Sequence, residues 1–416
     1  MTKKDAKSMI INGVELKLPK SFSSILPVSS NFPYFDYEDI PFIGLKLVIC
    51  SGDTVFDIGS SYGIISCLIS KLTGPTGRVF SFEANPYVIE MGMALAEANR
   101  FSKKNNATNI SFINKFVSER SGITTDFFIV PGIWDSLCST KNPNIIDRFP
   151  DAVSTNVPTI TIDDFIIETG IIPNVCKIDV EGAEYLAVKG MQQLLLSNQH
   201  KVDLVIETHG DEMMLAIPEG GDMDQLLSYL LGIGYGFFDL TTLAVITKQQ
   251  YEDKYAHEVG HVLVSRKLAN PEFVKQLLNK IKSYEKEITL FRERKELADR
   301  LKTIQQEYID KNSDYQAAEL RLKELVDKFP NHPLTNYLYA LSLHMQKVDL
   351  QKAMDHYNTA LQNGFDEFWV KYNRASVLAQ IGKKEQALAD IKDALRLKPD
   401  DAGSLTILKW INSISL

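Results

Sequence analysis

From about Val48 to Lys267, short apolar runs alternate with amphipathic ones, the pattern of strands and helices taken in turn around a parallel sheet. The runs that read as strands are TVFDI (54–58), RVFSFE (78–83), ISFINKFV (110–117), VCKIDV (175–180), DLVIET (203–208), YGFFDL (235–240) and HVLVSR (261–266). Between them YGIISCLISKL, PYVIEMGMALAEANRFSKKN, AEYLAVKGMQQLLLSN and DMDQLLSYLLGIG carry the helical period. Pro86 falls where a first helical turn tolerates proline, and TGPTG at 73–77 stops the first helix. After Leu268 glycine nearly vanishes and charged, helix-favouring residues take over. Val274, Leu277, Ile281, Tyr284, Ile288 and Phe291 recur at alternating spacings of three and four, a narrow apolar stripe. The phase then slips and restarts at Leu297, Leu301, Ile304 and Tyr308, which predicts a bent helix or two helices, packed on a neighbouring domain rather than paired as a coiled coil.

The final stretch repeats itself. Ala353, Tyr357 and Ala360 recur 34 positions on as Ala387, Ile391 and Ala394, and a looser copy holds Ala318 and Leu325. Small residues at these points let antiparallel helices approach closely, and Pro399 ends a hairpin. Residues 312–400 thus resemble the tetratricopeptide repeat family, without the tryptophan and glycine of its usual pattern. The resemblance implies a concave face for a protein partner; the plainer reading is a helical add-on that docks. The expected organisation is an N-terminal extension (1–43), an α/β domain (44–267), a long helical connector (268–311) and helical repeats (312–416).

Composition narrows the possibilities. A chain of 416 residues, 44% apolar and 24% charged, reads as two or three folded domains. A net charge of −8 without a basic stripe argues against nucleic acid as partner. No run approaches the ~18 apolar residues of a membrane span, and the N-terminus lacks the apolar core of a secretion signal, so a cytoplasmic location is expected. Cys50, Cys67, Cys138 and Cys176 are far apart, which predicts free thiols and no metal pair.

DTVFDIGSSYGIIS (53–66) overlays two signatures. Gly59-Ser60-Ser61-Tyr62-Gly63 fits the G-x-S-x-G elbow of serine hydrolases, but an elbow normally follows several strands and a glycine-rich oxyanion loop, and neither precedes it here. Read from Asp57, the same stretch is D-x-G-x-x-x-G, a nucleotide loop between a first strand and a first helix. Such a loop requires an acid at the end of the second strand to bond ribose hydroxyls, ~20 residues beyond the glycines, and Glu83 stands there. Ser61 occupies the position where a nicotinamide enzyme places glycine against a pyrophosphate. S-adenosyl-L-methionine has no pyrophosphate, and an acid such as Asp57 can bond its ammonium directly or through water.

VFDIGSSYGIIS, GRVFSFEANP, VPTITIDDFI and above all CKIDVEGAEYLAVKGM resemble, in order from Gly52 to Lys267, the FkbM family of S-adenosylmethionine-dependent methyltransferases. The family usually has Ala-Asn where this chain has Ser60-Ser61. The resemblance implies a seven-stranded Rossmann-like class I methyltransferase sheet and transfer to a hydroxyl, often of a sugar or natural product. Asp57, Gly59, Ser61, Gly63 and Glu83 are then expected at the cofactor. Asp179, Glu207 and His209 fall at strand ends on the acceptor side and are expected to be catalytic, with Glu181, Lys177 and Ser136 as weaker substrate contacts. His209 has an ordinary pKa near ~6.5, suited to a base or a hydrogen-bond donor. Glu184 fits charge stabilisation at a helix start.

HEVGH (257–261) matches a zinc motif, but Gly260 disfavours a helix and His261 leads into the strand-like VLVS. On a strand the two histidines lie ~13 Å apart, too far for one ion, so no metal is expected. The rival to an enzyme is an interaction protein whose α/β domain has lost catalysis and whose repeats act alone.

Overall fold

The structure, a computed structural model, describes residues 7–11, 14–19, 22, 34–35, 39–99, 109–129, 152–215, 217 and 220–414. The chain divides into two compact units, one mainly Asp36–Ile288 and the other mainly Thr289–Leu416.

The first unit is built on an eight-stranded sheet. Its strands are β1 (Thr54–Ile58), β2 (Arg78–Glu83), β3 (Ile110–Asn114), β4 (Val175–Ile178), β5 (Asp203–Thr208), β6 (Gly236–Asp239), β7 (Ala244–Ile246) and β8 (Gly260–Ser265), in the order β7-β6-β8-β5-β4-β1-β2-β3. β5, β4, β1, β2 and β3 run parallel. β8 is antiparallel to both β5 and β6, and β7 is antiparallel to β6. All seven expected runs form strands of this sheet. The eighth, Ala244–Ile246, escapes a sequence reading because it is a short edge strand with two exposed residues and no apolar run of its own. ISFINKFV also splits: Ile110–Asn114 joins the sheet, whereas Phe116–Val117 pairs with Thr159–Ile160 in a smaller one.

β1 and β4 are buried along their whole length, as a parallel sheet covered on both faces demands. Phe56, Phe82 and Phe165 meet edge to face at 5.0 to 5.5 Å in this core. Asn85 caps the helix Pro86–Ala98 by accepting from Tyr87 N, with Pro86 in its first turn. AEYLAVKGMQQLLLSN forms two short helices, Glu184–Lys189 and Gln192–Leu196, instead of the single one expected. Gly190 parts them at a point where an added Cβ would lie 2.1 Å from the Ser118 carbonyl oxygen, so the strand segment beside it sets the break.

The apolar stripe forms two helices, Pro271–Ser283 and Glu285–Thr303, with the break at Tyr284 rather than after Phe291. In the second unit, Tyr315–Lys328, Pro333–Gln346, Leu350–Gln362, Glu367–Gln380, Lys384–Leu397 and Ala402–Ser413 are helices, and consecutive ones pack together. Ala318, Ala353, Tyr357, Ala360, Ala387, Ile391 and Ala394 are fully buried, as close helix approach requires. Among the described residues no helix is long and apolar enough to cross a membrane.

Candidate active site

The chain leaves β1 for β2 and β3 on one side, then returns to place β4 on the other, so the order of strands reverses between β1 and β4 while both run parallel. A crevice at the carboxyl ends of the strands forms at such a reversal. Gly59 to Gly63 follow β1, Glu83 ends β2, Asp179 and Glu181 follow β4, and Glu207 and His209 lie at the end of β5. The topology therefore gathers these residues from four strand ends.

Gly59 sits where the two central strands almost touch. Its φ is +78°, and a Cβ there would lie 1.6 Å from the Asp179 carbonyl oxygen. Only glycine satisfies both demands. Ser61 also has positive φ, at 45°, an uncommon state for a side-chain-bearing residue. Its amide donates to Glu83 Oε2 at 2.8 Å, and Asn85 N donates to Glu83 Oε1 at 2.7 Å. The β2 acid thus holds the β1 loop by its main chain. Gly63, at φ +70°, opens the helix Ile64–Thr73.

Asp57 is fully buried: Ser66 Oγ donates to its Oδ2 at 2.5 Å, and Lys177 Nζ lies 3.8 Å from its Oδ1. Lys177, also buried, donates to Asp179 Oδ2 at 2.9 Å and to the Gly59 carbonyl at 3.1 Å. One ammonium therefore ties β4 to the loop after β1 between two carboxylates. Burial pushes both Asp57 and Asp179 above the ordinary carboxylate range, and Lys177 offsets only part of this.

His209 is the centre of a second network. Its Nδ1 lies 2.8 Å from Glu184 Oε1, and its Nε2 lies 3.2 Å from Glu181 Oε2 and 4.0 Å from Glu207 Oε1. Burial pushes the imidazole down, but the carboxylates of Glu184 and Glu181 outweigh it and raise the group from 6.5 to about 12. His209 is thus an imidazolium at neutral pH. Burial raises Glu181 in turn, against the pull of His209. Glu207 is held low: burial opposes ionisation, but His261 Nε2 at 3.1 Å, together with Lys177 and His209, outweighs it.

Sequence reasoning named Glu184 and His261 but missed what they pair with. Glu184 opens its helix as expected, accepting from Gly182 N at 3.1 Å, but it is fully buried and orients His209. His261, noticed only within a zinc motif, faces Glu207 because β5 and β8 pair in that register. His257 precedes the strand and is exposed, so no helix carries HEVGH. Ligand atoms of Asp179, Glu181 and His209 lie within 4.8 Å of one another, close enough to share a metal ion. Ser136 lies outside the described residues. Together the cluster can accept hydrogen bonds from hydroxyl groups, donate from an imidazolium and take up a proton.

Residues 57–237 match the family model for the methyltransferase FkbM domain. No curated protein matches the sequence. Among solved structures, the FkbM methyltransferase of Methylobacillus flagellatus aligns at 18% identity over 52% of this chain and 45% of its own, with a TM-score of 0.33. This chain therefore spans less than half of that protein. The precorrin-6y C5,15-methyltransferase of Geobacter metallireducens aligns at 13% identity over 56% of this chain and 89% of its own, with a TM-score of 0.30. Aeropyrum pernix fibrillarin, solved with bound S-adenosyl-L-methionine, aligns at 12% identity over 61% of this chain and 90% of its own, with a TM-score of 0.30. By the family match, the α/β unit is a Rossmann-like methyltransferase domain whose cofactor is S-adenosyl-L-methionine.

Proposed function

We propose that this chain, through its methyltransferase FkbM domain, transfers a methyl group from S-adenosyl-L-methionine to a hydroxyl of a sugar, glycan or natural product. The observation that carries the reading is the juxtaposition at four strand ends: a loop held by Glu83 beside a cluster of acids around His209.

Gly59, Ser61 and Gly63 are assigned to the methionine end of the cofactor and Glu83 to its ribose. The carboxylate oxygens of Glu83 accept from Ser61 N and Asn85 N, which fixes the acid beside the loop after β1. Asp57, buried against Ser66 and Lys177, shapes the loop from within. In the transfer, the acceptor oxygen attacks the methyl carbon in line with sulfur. The O–C bond forms, the C–S bond breaks with its electron pair going to sulfur, and the hydroxyl proton passes to a carboxylate. Asp179 and Glu207 are assigned to that proton, because His209 already carries one. His209 instead holds Glu181 at 3.2 Å as a hydrogen-bond acceptor for further acceptor hydroxyls.

The helices after residue 312 are assigned to tetratricopeptide-like hairpins that hold a protein partner, supported by the fully buried small residues recurring at 34 positions. Calorimetry with S-adenosyl-L-methionine, followed by transfer of a radiolabelled methyl group to a panel of glycans and polyols, tests the enzyme. No heat at high micromolar cofactor would leave the interaction-protein reading in its place.

A further inference from the structure

We propose that Asp179, Glu181 and His209 form a binding site for a divalent cation of the Mg2+ and Mn2+ class. Their ligand atoms lie within 4.8 Å of one another, and His209 Nε2 is 3.2 Å from Glu181 Oε2. Adjacent ligands of an octahedral ion with bonds of ~2.1 Å are separated by about 3.0 Å, so this pair needs almost no rearrangement to share an ion. Two carboxylates and one imidazole form an oxygen-rich set, which suits Mn2+ and Mg2+ better than a thiolate-preferring metal.

A separate observation lies behind the histidine. Glu184 is fully buried, its Oε1 meets His209 Nδ1 at 2.8 Å, and its Oε2 has no hydrogen-bond partner among the described residues. A metal-ligating histidine ordinarily has its other ring nitrogen on a carboxylate, which fixes the tautomer and aims the free nitrogen at the ion. Glu184 does this for Nε2, the nitrogen beside Glu181.

In the methyl transfer, a part that rests on the proposed function, the cation binds the acceptor hydroxyl and makes its proton easier to remove. The bonds made and broken are those given above, with the proton passing to Glu207 because Asp179 is then a ligand of the ion. The cation is neither oxidised nor reduced.

The test is a titration of the full-length chain with Mn2+, followed by electron paramagnetic resonance of the free ion. About one Mn2+ per chain is expected, and both Glu181→Gln and Glu184→Gln should weaken it roughly 10- to 100-fold. Asp224→Asn, at an exposed site elsewhere in the unit, should bind as wild type does. No binding up to millimolar Mn2+, or binding unchanged in Glu181→Gln, overturns the site and leaves a protonated histidine in its place. Circular dichroism of each variant separates loss of the ion from loss of the fold. Calorimetry with S-adenosyl-L-methionine keeps the two readings apart: cofactor binding without Mn2+ refutes the cation site alone, whereas Mn2+ binding without cofactor supports the site and refutes its role in transfer.

Discussion

Replacing Lys177 with methionine keeps the length of a buried side chain and removes its charge. Its ammonium lies 2.9 Å from Asp179 Oδ2, 3.1 Å from the Gly59 carbonyl and 3.8 Å from Asp57 Oδ1. Without it two buried carboxylates face each other across the joint of β1 and β4. Removing one partner of a buried ion pair costs about 3–5 kcal/mol, because the charge left behind is uncompensated. The loss must depend on pH, and its sign follows from the carboxylates. Burial already raises Asp57 and Asp179 above their unfolded values, and removal of Lys177 takes away what holds them down. A carboxyl raised in the folded state contributes stability that is present at low pH and is lost as pH rises through its folded value. The deficit is therefore expected to be largest at high pH, where both acids would be charged, and to shrink as pH falls and they protonate. Hydrogen exchange at residues 54–58 and 175–178, measured in wild type and variant at a high and a low pH, reads the first unit alone. Equal deficits at the two pH values would mean that lost packing, not lost charge, is responsible. A deficit below about 1 kcal/mol at both would refute the role given to the lysine.

Glu83→Gln leaves one acceptor oxygen for two backbone donors, at 2.8 and 2.7 Å. The loop should lose about 1.5–3 kcal/mol and the affinity for S-adenosyl-L-methionine should drop roughly tenfold or more; unchanged calorimetric affinity contradicts this. Gly59→Ala drives a Cβ to 1.6 Å from the Asp179 carbonyl oxygen and should abolish cofactor binding, whereas Gly122→Ala, at φ +76° with nothing within 4 Å, should cost only about 1–2 kcal/mol of backbone strain. Similar thermal midpoints for the two variants would discount the contact between strand ends. In the second unit, burial lowers His344 from 6.5 to about 4. The unfolded chain takes up a proton that the fold refuses, so stability is full above pH 6.5 and falls as pH drops towards 4, by up to about 3 kcal/mol. Fluorescence of Trp369 and Trp410 during denaturant unfolding should show this slope, reduced in His344→Gln; a flat profile would count against a buried neutral ring.

The seven long strands were legible in the sequence because each carries its own apolar run, and burial on both faces of a parallel sheet requires no partner to be known. The loop at 59–63 and the acid at 83 were legible for a related reason: a strand, a glycine turn and a helix form one local unit, and the distance to the next strand end is set by the helix between. The short strand Ala244–Ile246 was not, since an exposed edge strand is defined by the neighbour it pairs with. Gly190 likewise breaks its helix because of Ser118, distant in sequence. The acids and histidine of the candidate site could be named, but not their pairing. Lys177 meets Asp57 because β4 inserts beside β1, and His261 meets Glu207 because β8 runs antiparallel to β5. His209 has the composition of a base, yet Glu184 and Glu181 make it a cation. Local pattern determined which residues reach the strand ends; strand order determined which charges share a dry space, and there proximity and desolvation, more than residue type, fix the state of each group.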